Sequence, residues 1–465
     1  MNTAPVLDIS QLDFDVLSEQ IRGMGYKIVD QFVEAITPKL AHAGKMTLRE
    51  LSDLFQEQKQ QFFGQMLQGF IQLLHRDTLN QEYAACPECG KQHKKRRTVS
   101  REIETRHGPS LIERPYFYCP KCKVGYCPVD NDLGLLPGKK QSDLQDLALE
   151  FMAEMPFERA SELFYKATGI SYSQGPMHET FEDFGQWLSL ENVIPSAAEI
   201  EHRIEGLATG SSWKPVLMVA SDGAHAPLRP PGGRDEKRGS CEYKEAKGFR
   251  VYLVGEERIV HIASWHQVAD ANEICEALDF VAKRIPQEKV RIGLIGDGAS
   301  WLWRAMQKAF PQGREILDYY HCSQRVHALG QALYPEDSYK ALEWIESTMT
   351  RLSFKNGVSH VIGGLKRLKP RTPEVQEMVR KAINYFQEHQ HRINYRGSKI
   401  GGYHIGSGGI ESANKFICHT RLKRSGAWWL RNNCNKMLKL RCAIWNNTYE
   451  TAFQEYTSSK TKQIH

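Results

Sequence analysis

No stretch of this chain approaches the roughly 18 consecutive apolar residues that a membrane helix needs, and the N-terminus has no basic region followed by an apolar one. Neither a membrane span nor an export leader is therefore expected, and the expected location is the cytoplasm. The chain is not poor in hydrophobic residues either: at 41% hydrophobic and 25% charged it has the composition of an ordinary globular protein, which excludes a disordered chain. A strong excess of one charge is also missing, with a net +6 over 465 residues. That length exceeds one core, so about two to four domains are expected.

Cysteine, by contrast, is present, and in an odd number, eleven. Without an export signal this argues for thiols and metal ligands over a disulfide framework. Four of them form two pairs, Cys86-Pro-Glu-Cys89 and Cys119-Pro-Lys-Cys122, separated by 29 residues. Two thiolates with two residues between them can reach one tetrahedral Zn²⁺, and two such knuckles complete a four-thiolate site. The segment between them, with Thr98, Val99, Ile103, Ile112, Tyr116 and Tyr118 and a break at Gly108-Pro109, predicts the hairpin of a zinc ribbon. Its length exceeds the usual spacer, and His93 and Cys127 are alternative ligands. Lys91, Lys94, Lys95, Arg96, Arg97 and Arg101 surround the module and suggest a DNA phosphate partner.

The first 80 residues predict helices: Thr47 and Glu50 have capping-box spacing, and Leu48, Leu51, Leu54, Phe55, Phe62, Met66, Phe70 and Leu74 repeat at helical intervals. They carry no visible chemistry and read as a bundle or oligomerisation element. From Pro156, a helix, a turn at Gly169 and a second helix to Gly185 have helix-turn-helix spacing, although an ordinary helical hairpin reads the same way. In the former reading Ser173, Gln174 and His178 face DNA, and Glu179, Glu182 and Asp183 point away.

Two short aliphatic runs organise the second half. Val216 to Ala220 leads to Asp222-Gly223, and Val290 to Ile295 leads to Asp297-Gly298. Such runs predict strands buried on both faces, here with an acid at each tip. Between them, strands are expected at Phe249 to Val254 and Ile259 to Ser264, and a helix near Ala271 to Lys283, giving a mixed sheet covered by helices. Downstream, Ser407-Gly-Gly-Ile-Glu411 opens a helix with Glu411 in its first turn, where the dipole favours the ionised carboxylate. Lys415 lies one turn on, either to hold a phosphate or to pair with Glu411.

From Ser412 to His465 there are ten Lys/Arg and two Glu, which leaves the remainder of the chain slightly acidic. Trp428, Trp429 and Trp445 within this basic segment suggest stacking surface for a polyanion, the alternative being a solvated basic helix.

Strand-Asp222-Gly, Gly-Asp297-Gly-Ala-x-Trp, Asp318-x-x-His321 and Gly-Ser-Gly-x-x-Glu411-Ser together resemble the DDE transposases of bacterial insertion sequences, in particular the ISKra-type group related to Mutator-like elements. The resemblance implies an α/β fold with an RNase H-like core, an α-helical insertion, and an upstream zinc ribbon and helical DNA-binding region. It implies an acidic triad of Asp222, Asp297 and Glu411 holding Mg²⁺ or Mn²⁺, with Zn²⁺ on Cys86, Cys89, Cys119 and Cys122. Asp318, His321, Lys415, Arg421, Lys423 and Arg424 are then DNA-binding or supporting residues, with His321 either on DNA or a hydrogen-bonded core histidine. Trp301 and Trp303, opening the helix after Asp297, are expected to pack.

The organisation that follows is a helical region at 1–80, a zinc ribbon at 81–135, a helix-turn-helix-like region at 140–205, and the core's first part at 210–332. A helical insertion follows at 333–400, with breaks at Pro335, Gly363-Gly364 and Pro370, then the core's last part at 401–430 and a basic tail at 431–465. The implied activity is DNA cleavage and strand transfer at the ends of an insertion sequence, by a homodimer or larger assembly at the bacterial nucleoid. The competing readings are an inactive or domesticated zinc-ribbon DNA binder and an RNase H-like nuclease.

Overall fold

The computed structural model describes residues 13–208, 213–229 and 242–461. The chain divides into two compact units, one of residues 1–187 with 450–465 and one of residues 188–449. Among the described residues no helix is long and apolar enough to cross a membrane.

In the first unit, helices Phe14–Ala43 and Leu48–Leu74 pack together, with the Phe32 ring 5.7 Å from Phe55 and 5.4 Å from Phe62. The second opens with a complete capping box, since Glu50 N donates to Thr47 Oγ1 and Thr47 N donates to the Glu50 carboxylate. Strands β1 (Tyr83–Ala85) and β2 (Gln92–Lys94) form one antiparallel pair. Strands β3 (Arg97–Thr105), β4 (Gly108–Cys119) and β5 (Val124–Tyr126) form an antiparallel sheet. The β3–β4 turn takes Gly108 to φ +113, where a Cβ would strike Gln60.

Helices Phe157–Thr168 and Gln174–Trp187 are joined through Gly169 in the left-handed conformation. Glu182 does not point away from His178: four residues apart on one helix, they share a face, with Nε2 3.8 Å from Oε1. Asp183 is occupied by the C-terminal helix Tyr449–Thr461, accepting from Tyr456 Oη at 2.9 Å and pairing with Lys460 at 2.6 Å.

The second unit is built on a five-stranded mixed sheet of order β10-β9-β6-β7-β8. These are β6 (Val216–Leu228), β7 (Glu242–Val254), β8 (Ile259–Gln267), β9 (Arg291–Gly296) and β10 (Arg314–Leu317). Strands β6, β7 and β8 pair antiparallel, while β9 runs parallel to β6 and β10 parallel to β9. The central run Leu217-Met-Val-Ala220 is fully buried; each large aliphatic side chain there contributes roughly 1.5–3 kcal/mol from apolar burial.

Three expectations about these elements need correction. Strand β6 does not stop before Asp222 but continues to Leu228, because β7 supplies partners along its whole length. A fifth strand, β10, lies beyond β9. Gly363 and Gly364 do not break the insertion but sit inside helix Gly357–Arg367, where packing of Val361, Ile362 and Leu365 outweighs their poor propensity. The insertion's other helices are Ser338–Leu352, Pro373–Glu388 and Tyr395–Ile400.

Nor do residues 431–449 form a basic tail. Helix Arg431–Asn446 packs on β8, burying Cys434, Met437, Leu438, Leu440 and Ala443 together with Lys436 and Arg441. Asn446 ties it down: its side chain accepts from Ser264 N at 2.8 Å and donates to Ser264 O at 3.0 Å. Trp429 is 8% exposed, and Trp445 stacks on Phe416 with centroids 4.5 Å apart, so of the three tryptophans Trp428 alone offers an open face. Amphipathic packing, not charge, determines the position of this helix.

Candidate functional site

Two groups of chemically capable residues stand out, one in each unit. In the first, the Sγ atoms of Cys86, Cys89, Cys119 and Cys122 all lie within 4.8 Å of one another. Cys89 and Cys119 are 3.8 Å apart, and the edge of a tetrahedron with metal–sulfur bonds of about 2.3 Å is about 3.8 Å. The strands explain the convergence. The first pair sits in the turn between β1 and β2, and the second in the turn between the end of β4 and β5. Both turns pass through the left-handed region just after their second cysteine, at Gly90 (φ +70) and Lys123 (φ +58).

The Cys122 N–H donates to Cys119 Sγ and lowers that thiol to about 6, which favours the ligating thiolate. Phe117, Tyr126 and Ala84 wall the cluster. His93 and Cys127 stand outside it. Arg101 is not available to a phosphate as expected, because it and Arg114 both pair with the buried Asp130. Arg96 and Arg97 remain exposed, over the rings of Tyr118 and Tyr116.

The second group lies at the carboxyl end of the parallel pairing that joins β6, β9 and β10, beside the middle of β6. Strands β6 and β9 pair from Val216↔Arg291 to Ala220↔Ile295, so Asp222 and Asp297 emerge two residues past the last pair from parallel neighbours. Strands β9 and β10 pair through Gly296↔Leu317, which puts Asp318 beside Asp297. Ligand sites of open α/β sheets lie at such carboxyl ends. Asp297 is exposed, and its Oδ1 accepts from Ala299 N at 3.0 Å at the start of helix Ser300–Ala309. Trp303 of that helix is buried under Arg392, consistent with a packing role, while Trp301 is half-buried.

Asp318 is buried and its carboxylate caps helix Tyr319–Leu333 through Tyr320 N and His321 N. It also accepts from His321 Nδ1 at 2.5 Å, from Ser407 N at 2.8 Å and from Ser407 Oγ at 3.1 Å. Burial alone would raise its pKa, but these bonds outweigh it and hold the carboxyl below its ordinary value. His321 is correspondingly raised, first by its bond to Asp318 and then by the charges of Asp318, Asp297 and Asp222. Asp222 is pushed up, chiefly by burial and also by the charges of Asp297 and Asp318. A cation held there would relieve that repulsion.

Glu411 reaches the same region from helix Gly408–Ala413, exposed, with Ser407 Oγ 3.4 Å from its Oε1. Arg250 on β7 braces the helix through Gly409 O (2.6 Å) and Ser412 Oγ (2.8 Å). Asn414, which begins the π-helix Asn414–His419, donates from Nδ2 to Asp222 Oδ2 at 3.0 Å. The carboxylates of Asp222, Asp297 and Glu411 offer hard oxygen donors suited to Mg²⁺. Among the described residues they are not drawn together as closely as the four Sγ atoms are.

Lys415 is exposed and does not pair with Glu411. Lys423 and Arg424 are also exposed. Arg421, expected on DNA, is 4% exposed with its guanidinium over Trp429, and burial lowers it to about 10. Arg250, His266, Ser407 and Asn414 were missed by sequence reasoning. For Arg250 there was one signal, a charge inside an aliphatic strand.

No family model matches the sequence, and a search of curated proteins finds no match. Among solved structures, the Drosophila P element transposase strand transfer complex aligns with a TM-score of 0.26 and 9% identity, over 70% of this chain and 84% of that one. A superposition that loose carries no argument about this chain.

Proposed function

We propose that the chain is a DDE-type transposase with an RNase H-like core, which cleaves and joins DNA at Asp222, Asp297 and Glu411. The observation that carries this reading is the parallel pairing of β6 with β9, which brings Asp222 and Asp297 side by side just past its last pair, with Glu411 tethered nearby by Ser407. Three antiparallel strands followed by two parallel ones, in the order found, support an RNase H-like sheet.

Two Mg²⁺ ions on these carboxylates would activate the attacking oxygen and stabilise the departing 3′-oxygen. The chain supplies the rest. Asp222, Asp297 and Glu411 offer oxygens, and the hydrogen bond from His321 to Asp318 favours the charged imidazole beside them, facing a non-bridging phosphate oxygen. Lys415, Lys423 and Arg424 hold the DNA backbone. Water first displaces the 3′-oxygen at a transposon end, and the freed 3′-hydroxyl then attacks a target phosphate, breaking one P–O bond for each one formed. The four cysteines hold Zn²⁺, and with Arg96 and Arg97 their module contacts the element's ends. Holding two ends at once calls for a dimer or larger assembly.

The test is Asp297→Asn with Mg²⁺ and DNA carrying the element's ends. Cleavage and joining should both be lost while DNA binding stays at wild-type strength; strand transfer retained in this variant would remove Asp297 from the site. Inverted repeats with short flanking duplications around the gene separate a transposase from a nuclease.

A further inference from the structure

The acidic residues are not placed by the sheet alone. On one face of the sheet Asp222, Gly248 and His266 are lateral neighbours on β6, β7 and β8, paired Asp222↔Gly248 and Gly248↔His266. The missing side chain at Gly248 lets the His266 ring lie across β7, since a Cβ there would come within 2.2 Å of His266 Cδ2. Into this row drops Asn414, buried, three residues after Glu411. Its Oδ1 accepts from His266 Nε2 at 2.9 Å, and its Nδ2 donates to Asp222 Oδ2 at 3.0 Å.

The amide has one workable orientation. A carboxylate only accepts, so the nitrogen must face Asp222 and the oxygen must face a protonated Nε2 of His266. His266 is fully buried, and its pKa falls to about 4, so the ring stays neutral with its proton on Nε2. Asp222 Oδ1 is meanwhile taken by Gly223 N at 2.8 Å. Each carboxylate oxygen is thus fixed by one donor and keeps lone pairs for a cation.

The helix widens into its π-turn at Asn414, a distortion that recurs at functional positions. We infer that Asn414, oriented by His266, is the positioning residue of the acidic site, locking the Asp222 carboxylate and tying the strand of Asp222 to the helix of Glu411. This inference rests on the proposed metal-binding role of the acids. Partners of this outer kind change metal affinity by roughly 10–100-fold when removed.

The experiment is Mn²⁺ binding to the zinc-loaded full-length protein, followed by electron paramagnetic resonance, with melting temperature recorded in parallel. Asn414→Leu keeps the branched shape and the number of side-chain heavy atoms and removes both hydrogen bonds. Asn414→Ser withdraws the polar end from both His266 and Asp222, which the amide reaches at 2.9 and 3.0 Å, and serves if the leucine variant does not fold. Either folded variant should lose about 10–100-fold in Mn²⁺ affinity. Wild-type affinity in a folded variant, whatever its melting temperature, overturns the role of Asn414. If wild-type protein binds no more Mn²⁺ than Asp297→Asn does, the acidic metal site itself is removed and the positioning role goes with it; wild-type binding that Asp297→Asn loses leaves the site standing and isolates Asn414 as the point at issue.

Discussion

Asp318 and Ser407 are 89 residues apart in sequence and meet through two hydrogen bonds, from Ser407 N at 2.8 Å and Ser407 Oγ at 3.1 Å to the two oxygens of one buried carboxylate. The neighbouring bond from Tyr319 N to Ile405 O, 2.9 Å, doubles the clasp. The loop that positions Glu411 is therefore fastened to the start of helix Tyr319–Leu333.

Replacing Asp318 by alanine should be costly. The helix loses its cap, worth about 1 kcal/mol, and buried donors on Ser407 lose their acceptor at about 1–3 kcal/mol. We predict a destabilisation of about 3 kcal/mol in urea unfolding. A change below about 1 kcal/mol would mean the clasp does not hold this region together.

The Asp318–His321 pair should also give a defined pH dependence in metal-free protein. The folded value of His321 lies above 6.5, so its contribution is complete below 6.5 and fades as pH rises through the raised value. Asp318 lies below 3.8, so its contribution is present above 3.8 and fades as pH falls through the lowered value. The pair therefore stabilises most between those two limits. The NMR titration of His321 should fall in midpoint in Asp318→Asn; an unmoved midpoint would exclude Asp318 as the cause.

Gly248→Ala should disturb the site without touching an acid. The added methyl would overlap the His266 ring, and such overpacking costs about 1–3 kcal/mol. The expected result is a lower melting temperature together with weaker Mn²⁺ binding. A fully stable variant would show that the ring moves aside freely.

The cysteine cluster should bind one metal ion per chain. Cobalt(II) in place of zinc should give the sulfur charge-transfer bands of a tetrahedral thiolate site, and Cys119→Ser should weaken them. Octahedral cobalt spectra would rule out the four-sulfur site.

Some of this was legible in the sequence, for physical reasons. Val216 to Ala220 and Ile292 to Ile295 are aliphatic because both faces of those strands are covered, and the paired cysteine spacing reflects what a thiolate turn can reach. The remainder depended on partners that a single chain does not display. The second half of β6 is interrupted by Asp222, Gly223 and Pro227, which hide a strand whose Ala224, Ala226 and Leu228 are buried, and β10 is four residues long with Glu315 inside it. Asn414 and His266 look like any polar pair until the fold buries them together. The basic count from Ser412 onward was correct, but it could not reveal that Lys436, Arg441 and Arg421 would be buried.

The clasp between Asp318 and Ser407 also governs how the protein can change over generations. It joins the chain where it leaves the sheet to the point where it returns, so the intervening helices are an excursion from a closed base. The entropy of closing such an excursion grows only logarithmically, by about 0.6 kcal/mol for each doubling of its length. Material can therefore be added to the outer helical turns at little thermodynamic cost to the acidic residues. Insertions there should be tolerated where a single substitution at the base is not.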